Sequence, residues 1–190
     1  MARIPGEAIE ITHSKLDTVG RHITAAVQMI AMECNPFSTH VVVKAAHEMI
    51  EVMARERGVL LDGDPQIWIK DEYQKEYRTL ANKAYNYLKH ANRGSDEPYE
   101  GPPPQELAVL NDILTLLNIN GYKALGGYVD QAAVEFSMVL LLKYPKYFKT
   151  EFVDSLPGLK EHRQSVSADP EILAMALRER LRRTKVLPSD

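Results

Sequence analysis

Asn86, Lys89, His90 and Arg93, with Asn82 and Arg78 one and two turns earlier, carry the densest polar chemistry of the chain. At about 100° per residue they fall within a sector of roughly 120° on one predicted helix. Asn86, Lys89 and His90 stand at i, i+3 and i+4, so their side chains can act on one small target. Ammonium, guanidinium and imidazole together form the donor set that a phosphate or carboxylate requires. A histidine between cations is biased toward its neutral form, able to act as a base. The stripe therefore predicts an anion site, with His90 as the base and Lys89 as the charge if any catalysis occurs there. The same pattern also satisfies the ordinary need of an amphipathic helix for a solvated face, and Asn and His can cap the carbonyls left free at a helix end.

The preceding helix repeats the pattern. His40, Lys44, His47, Glu48, Glu51 and Arg55 cluster in about one third of its circumference, opposite Val, Ala, Met and Ile. His40, Lys44, His47 and Glu51 are expected to face the first stripe and share its ligand, or to pair the two helices. No metal and no cofactor are expected. His-Glu-Met-Ile-Glu from His47 is not the HExxH of a zinc enzyme, and the ExxH spacing of Glu10 to His13 lies outside a strong helix. There is no GxSxG elbow, no phosphate loop, no GxGxxG after a strand and no CxxC pair.

The composition sets the frame. The chain has 190 residues, enough for one domain with its own core, and a net charge of −3 that offers no general attraction to nucleic acid or acidic lipid. A single cysteine, Cys34, precludes an intramolecular disulfide and suits a reducing compartment, so the expected location is cytoplasmic. No run is long and apolar enough to span a bilayer, and no signal peptide is expected at the N-terminus.

The stripes must be positioned by helices, because apolar residues recur at three- and four-residue spacing and no hairpin signal or sustained alternation occurs. Ser14 with Asp17 three residues on predicts the first helix start, and Asn35-Pro36 its end. Ser38 is expected to cap the second helix, with Gly58 as its stop. Asp64-Pro65 is expected to open a third that carries Ile69, Tyr73, Tyr77, Leu80, Ala84 and Leu88 on one side. A fourth runs from Pro104 to near Gly121 or Gly127. The fifth, around residues 129–145, is apolar on nearly all sides and is expected at the centre of the core. A last helix follows Asp169-Pro170. The expectation is an all-α single-domain bundle of about five to six helices, core about 14–153, with 154–190 as a C-terminal helical appendage.

Three stretches carry a resemblance: STHVVVKAAHEMI from Ser38, NYLKHAN from Asn86 and VEFSMVLLLKYPKYF from Val134. Over roughly Leu16 to Phe152 they resemble a family of uncharacterised bacterial helical proteins with an NFFKHAD-like motif. Asn92 here stands where that motif has Asp, and the acidic residues come later, at Asp96 and Glu97. A looser likeness is to HEPN domains, helical modules of RNA-cleaving toxins and nucleotide-binding proteins. Their active motif is an Arg, often followed by a polar residue, with a His four to six residues on. Asn86 and His90 match the latter two; Tyr85 stands where the Arg would be, and Arg78 lies roughly 18 Å up the helix from His90. The likeness implies an HEPN-like homodimeric bundle that binds a nucleotide, RNA or a protein partner through Asn86 to Arg93. A weak ribonuclease using His90 and a structural bundle with no ligand are the alternatives.

Overall fold

The computed structural model describes residues 13–61, 68–89 and 98–151, with Met175, Arg178, Glu179 and 181–183 of the C-terminal stretch. It is an all-α bundle: α1 Lys15–Ala31, α2 Pro36–Arg57, α3 Asp71–Lys89, α4 Pro104–Ala124 and α5 Gln131–Lys143, then a short 3-10 turn at Pro145–Tyr147. No described helix is long and apolar enough to cross a membrane.

Local chemistry sets the ends. Ser14 Oγ accepts from the Asp17 backbone N–H at 3.0 Å, and Asp17 Oδ2 accepts from the Ser14 N–H at 3.1 Å. This capping box opens α1 as expected, and the bonds to Ser14 hold the Asp17 carboxyl below its ordinary pKa. The start of α2 differs from expectation. Asn35, not Ser38, is the cap: its Oδ1 accepts from Phe37 N–H at 2.9 Å, and Pro36 fills the first helical position. A proline there loses no helical hydrogen bond, so Asn-Pro starts the helix three residues earlier than a Ser38 cap would. At the other end Gly58 takes φ 63°, the left-handed stop its sequence position predicts.

Ile69 is not helical. It forms an isolated antiparallel bridge with Phe148, and Lys70 N–H and Lys149 N–H donate to the Tyr147 and Trp68 carbonyls at 3.0 and 2.8 Å. The tie turns Trp68, Ile69 and Phe148 into the core together. The expected cap and turn at Asp62–Pro65 lie outside the described residues.

The centre of the bundle is α4, not α5. It packs against α1, α2, α3 and α5, and is buried nearly all round. α5 lies to one side, with Val134 41% exposed. Apolarity alone pointed to α5, because α4 mixes Asn111, Asp112, Thr115 and Asn118 among its leucines and isoleucines, and all four are buried. Of the C-terminal helical residues, Leu181 is fully buried in the core, while Arg178 Nε donates to the Ala31 carbonyl at 2.8 Å and its guanidinium pairs with Glu33.

Candidate functional site

The polar residues of α4 and α2 meet in register. Asn111 and Asn118 are seven residues apart on α4, as His40 and His47 are on α2. Asn111 Nδ2 donates to the Pro36 carbonyl and Asn118 Nδ2 to the Val43 carbonyl, each at 2.8 Å. The amide nitrogens are thereby committed to backbone, so each Oδ1 faces a histidine, at 2.7 Å from His40 Nδ1 and 2.9 Å from His47 Nδ1. An amide oxygen only accepts, so in any bond between them the ring Nδ1 is the donor.

His40 is fully buried, and its Nε2 lies 2.9 Å from the Ala81 carbonyl on α3. Both ring nitrogens therefore face acceptors. Burial nonetheless lowers its pKa, the bonds from Ala81 and Asn111 oppose that, and Lys44 adds to the lowering. The neutral ring has one proton for two acceptors. His40 is thus a link between α2, α3 and α4 rather than a group presented to a ligand.

One turn on, Lys44 is only 6% exposed. Its Nζ donates to Asn82 Oδ1 at 3.1 Å and lies 5.7 Å from the centre of the Tyr85 ring. Burial lowers its pKa, with Glu51 and Glu48 opposing. An ammonium has three protons, and no hydrogen bond among the described residues takes the other two. Lys89, by contrast, is committed: with the Tyr85 hydroxyl it bonds Glu48 Oε2, each at 3.3 Å, and the bond to Glu48 raises its pKa.

Between α2 and α3 opens a cleft of about 640 Å³. Lys44, His47, Glu51 and Arg55 line it from α2, and Tyr77, Arg78 and Asn82 from α3. Its apolar walls are Ala54, Val59, Leu60, Leu61, Ala81 and Leu114. Glu51 Oε1 lies 3.4 Å from His47 Nε2, and that contact, then Lys44 and Arg55, draws its carboxyl pKa down against burial. The Tyr77 hydroxyl is buried and has no hydrogen-bond partner among the described residues; burial raises its pKa far above the usual phenol value.

Of the predicted site residues, then, Lys44, His47 and Glu51 share the cleft, together with Arg78 and Asn82 of the α3 stripe. Asn86 is exposed one turn beyond Asn82. His90 and Arg93 lie outside the described residues. Asn111, Asn118, Tyr77 and the Val59–Leu61 wall were not foreseen. The signal for the first two was present: Asn111, Thr115 and Asn118 form a polar stripe at i, i+4 and i+7 on an otherwise apolar helix. Asp112, on the neighbouring face, ties α4 to the end of α5 by accepting from Lys143 Nζ at 3.0 Å and the Tyr144 hydroxyl at 2.7 Å. Among the described residues no group of three or more His, Cys, Asp or Glu is placed to hold a metal ion.

Comparison with protein-family models, curated proteins and solved structures finds no match to this chain.

Proposed function

We propose that this chain is a cytoplasmic, HEPN-like helical module that binds a small anionic ligand, of which a nucleotide or nucleic-acid phosphate is one class, in the α2–α3 cleft. The observation that carries the reading is Lys44: a cation held 6% exposed in the wall of an open cleft, with two protons that no described protein group accepts. Leaving a buried ammonium partly unsatisfied is costly, and an anion in the cleft removes that cost. Arg55 adds positive charge at the same cleft, and Asn86 extends the polar stripe past it.

Binding is a better account than ribonuclease chemistry because of Tyr85. It stands where the nuclease motif has Arg, and its ring lies beneath both Lys44 and Lys89, with Lys89 Nζ 5.1 Å from the ring centre. Lys89 is thereby held by Glu48 and the ring, not arranged around a scissile bond.

A homodimer is the proposed assembly. Val41 and Val52, eleven residues apart and so on one face of α2, are both exposed large hydrophobics. Light scattering should give twice the monomer mass, and Val41→Lys should halve it.

The test of the binding reading is titration calorimetry with inorganic phosphate, adenosine 5′-monophosphate, a short RNA and simple carboxylates, on the wild type and on Lys44→Met. At least one should bind the wild type, and Lys44→Met should weaken it at least tenfold. Binding that survives Lys44→Met unchanged, or no binding by any of the four, overturns the reading.

A further inference from the structure

The chemistry of the cleft narrows the ligand, granted that the cleft binds an anion at all. Its buried donors are few. Lys44 offers two unspent N–H groups, and Tyr77 offers one O–H that meets no acceptor. The two belong to one locality, because both residues line the same cleft. Arg55 and Arg78 also line the cleft, but both are exposed, so its buried donors number three, which suits the two oxygens of a carboxylate.

Beyond the donors the cleft is apolar. Val59 and Leu61 are packed against the core, while Leu60 is 92% exposed although it sits in the wall of a cleft. Ala54, Ala81 and Leu114 continue that surface. An anion with no apolar part leaves this wall wet. About 640 Å³ is also far more than a bare phosphate or acetate fills, and lies within the range of sites for organic ligands.

We propose that the α2–α3 cleft binds an organic monocarboxylate with an apolar chain, its carboxylate on Lys44 Nζ and the Tyr77 hydroxyl and its chain along Val59, Leu60, Leu61 and Leu114. This rests on the anion-binding reading above and specifies the ligand class.

The experiment is a calorimetric comparison of butanoate, hexanoate and octanoate with inorganic phosphate and adenosine 5′-monophosphate on the full chain. Affinity should rise roughly fourfold per added methylene, as burial of a CH₂ group dictates. Octanoate should bind at least tenfold more tightly than phosphate or the nucleotide. Three variants divide the contacts. Tyr77→Phe should weaken octanoate and butanoate alike, by about tenfold, without lowering the melting temperature. Leu60→Glu, at a position too exposed to affect folding, should weaken octanoate but leave butanoate almost unchanged. Lys44→Met should abolish binding of both. If phosphate or the nucleotide binds as well as octanoate and Leu60→Glu changes nothing, the carboxylate proposal falls while the anion-binding reading stands. If none of the five compounds binds, the carboxylate proposal falls, and the anion-binding reading falls with it when a short RNA also fails to bind.

Discussion

His40 and Asn111 hold each other at 2.7 Å across the interface of α2 and α4, in a place from which water is excluded. Asn111 is fixed in turn by its bond to the Pro36 carbonyl at the start of α2. Truncating it strands His40 Nδ1–H and removes a second donor from a backbone carbonyl. Each buried group left unpaired costs about 1–3 kcal/mol, so Asn111→Ala should lower stability by about 2–4 kcal/mol in urea denaturation. Asn118→Ala should cost less, because His47 is partly exposed and water can replace the lost partner. Equal losses at the two positions would show that burial does not govern this pair of links.

The environment of His40 makes stability fall on acidification. Its folded pKa is below 6.5, the unfolded ring's value, with burial as the main cause. As pH drops through 6.5 the unfolded chain takes up a proton that the folded ring refuses, so the folded state loses ground until its own, lower pKa is reached. One such group gives at most about 1.4 kcal/mol per pH unit. Lys44 and Tyr85 face the ring from α2 and α3. Asp112 acts in the opposite sense, because burial raises its pKa and protonation relieves it. The loss between pH 7.5 and 5.5 should therefore be at least as steep in Asp112→Asn. A ring-proton NMR titration in which His40 protonates at or above 6.5 would refute the assignment.

Gly121 gives a packing test. A Cβ built there would lie 2.7 Å from Ile50 Cγ2, a buried methyl on α2. Glycine inside a helix gives up about 1 kcal/mol of propensity, somewhat less here in the last turn of α4, and overpacking costs about 1–3 kcal/mol. Gly121→Ala should therefore destabilise by up to about 2 kcal/mol. Ile50→Leu removes the β-branch methyl, so the double variant should be more stable than the sum of the two single changes predicts, as a thermal-denaturation cycle would reveal.

The fold was legible in the sequence wherever one face of a helix was apolar and its ends were marked. Ser14 with Asp17 and Gly58 each did in the structure what their types dictate. What misled were elements whose burial depends on partners distant in sequence. α4 reads as less apolar than α5 because of Asn111, Asp112, Thr115 and Asn118, and is more buried because three of the four bond residues of other helices or the tail of α5. Ile69 has a helix-compatible spacing, but its bridge partner, Phe148, is 79 residues away. The site was half legible for the same reason. Spacing placed Lys44, His47 and Glu51 on one face; only the packing shows His40 inside the core, Lys89 bound to Glu48, and Tyr77, a residue of the cleft wall, with a buried hydroxyl that no described group pairs.

Tyr77 is where stability and function should part. Its hydroxyl is buried without a partner among the described residues, so the folded protein forfeits the hydrogen bonds that the unfolded chain makes to water. Tyr77→Phe keeps the ring in the core and removes only that loss, so the unliganded protein should gain about 0.5–2 kcal/mol in denaturation. A residue present for packing alone would be better as phenylalanine in every respect. One that donates to a ligand should instead trade that gain for weaker binding, so the variant should melt higher alone yet rise less when octanoate is added. A Tyr77→Phe protein that melts lower alone would mean that its hydroxyl already has a partner, and would remove one of the three donors on which the carboxylate reading depends.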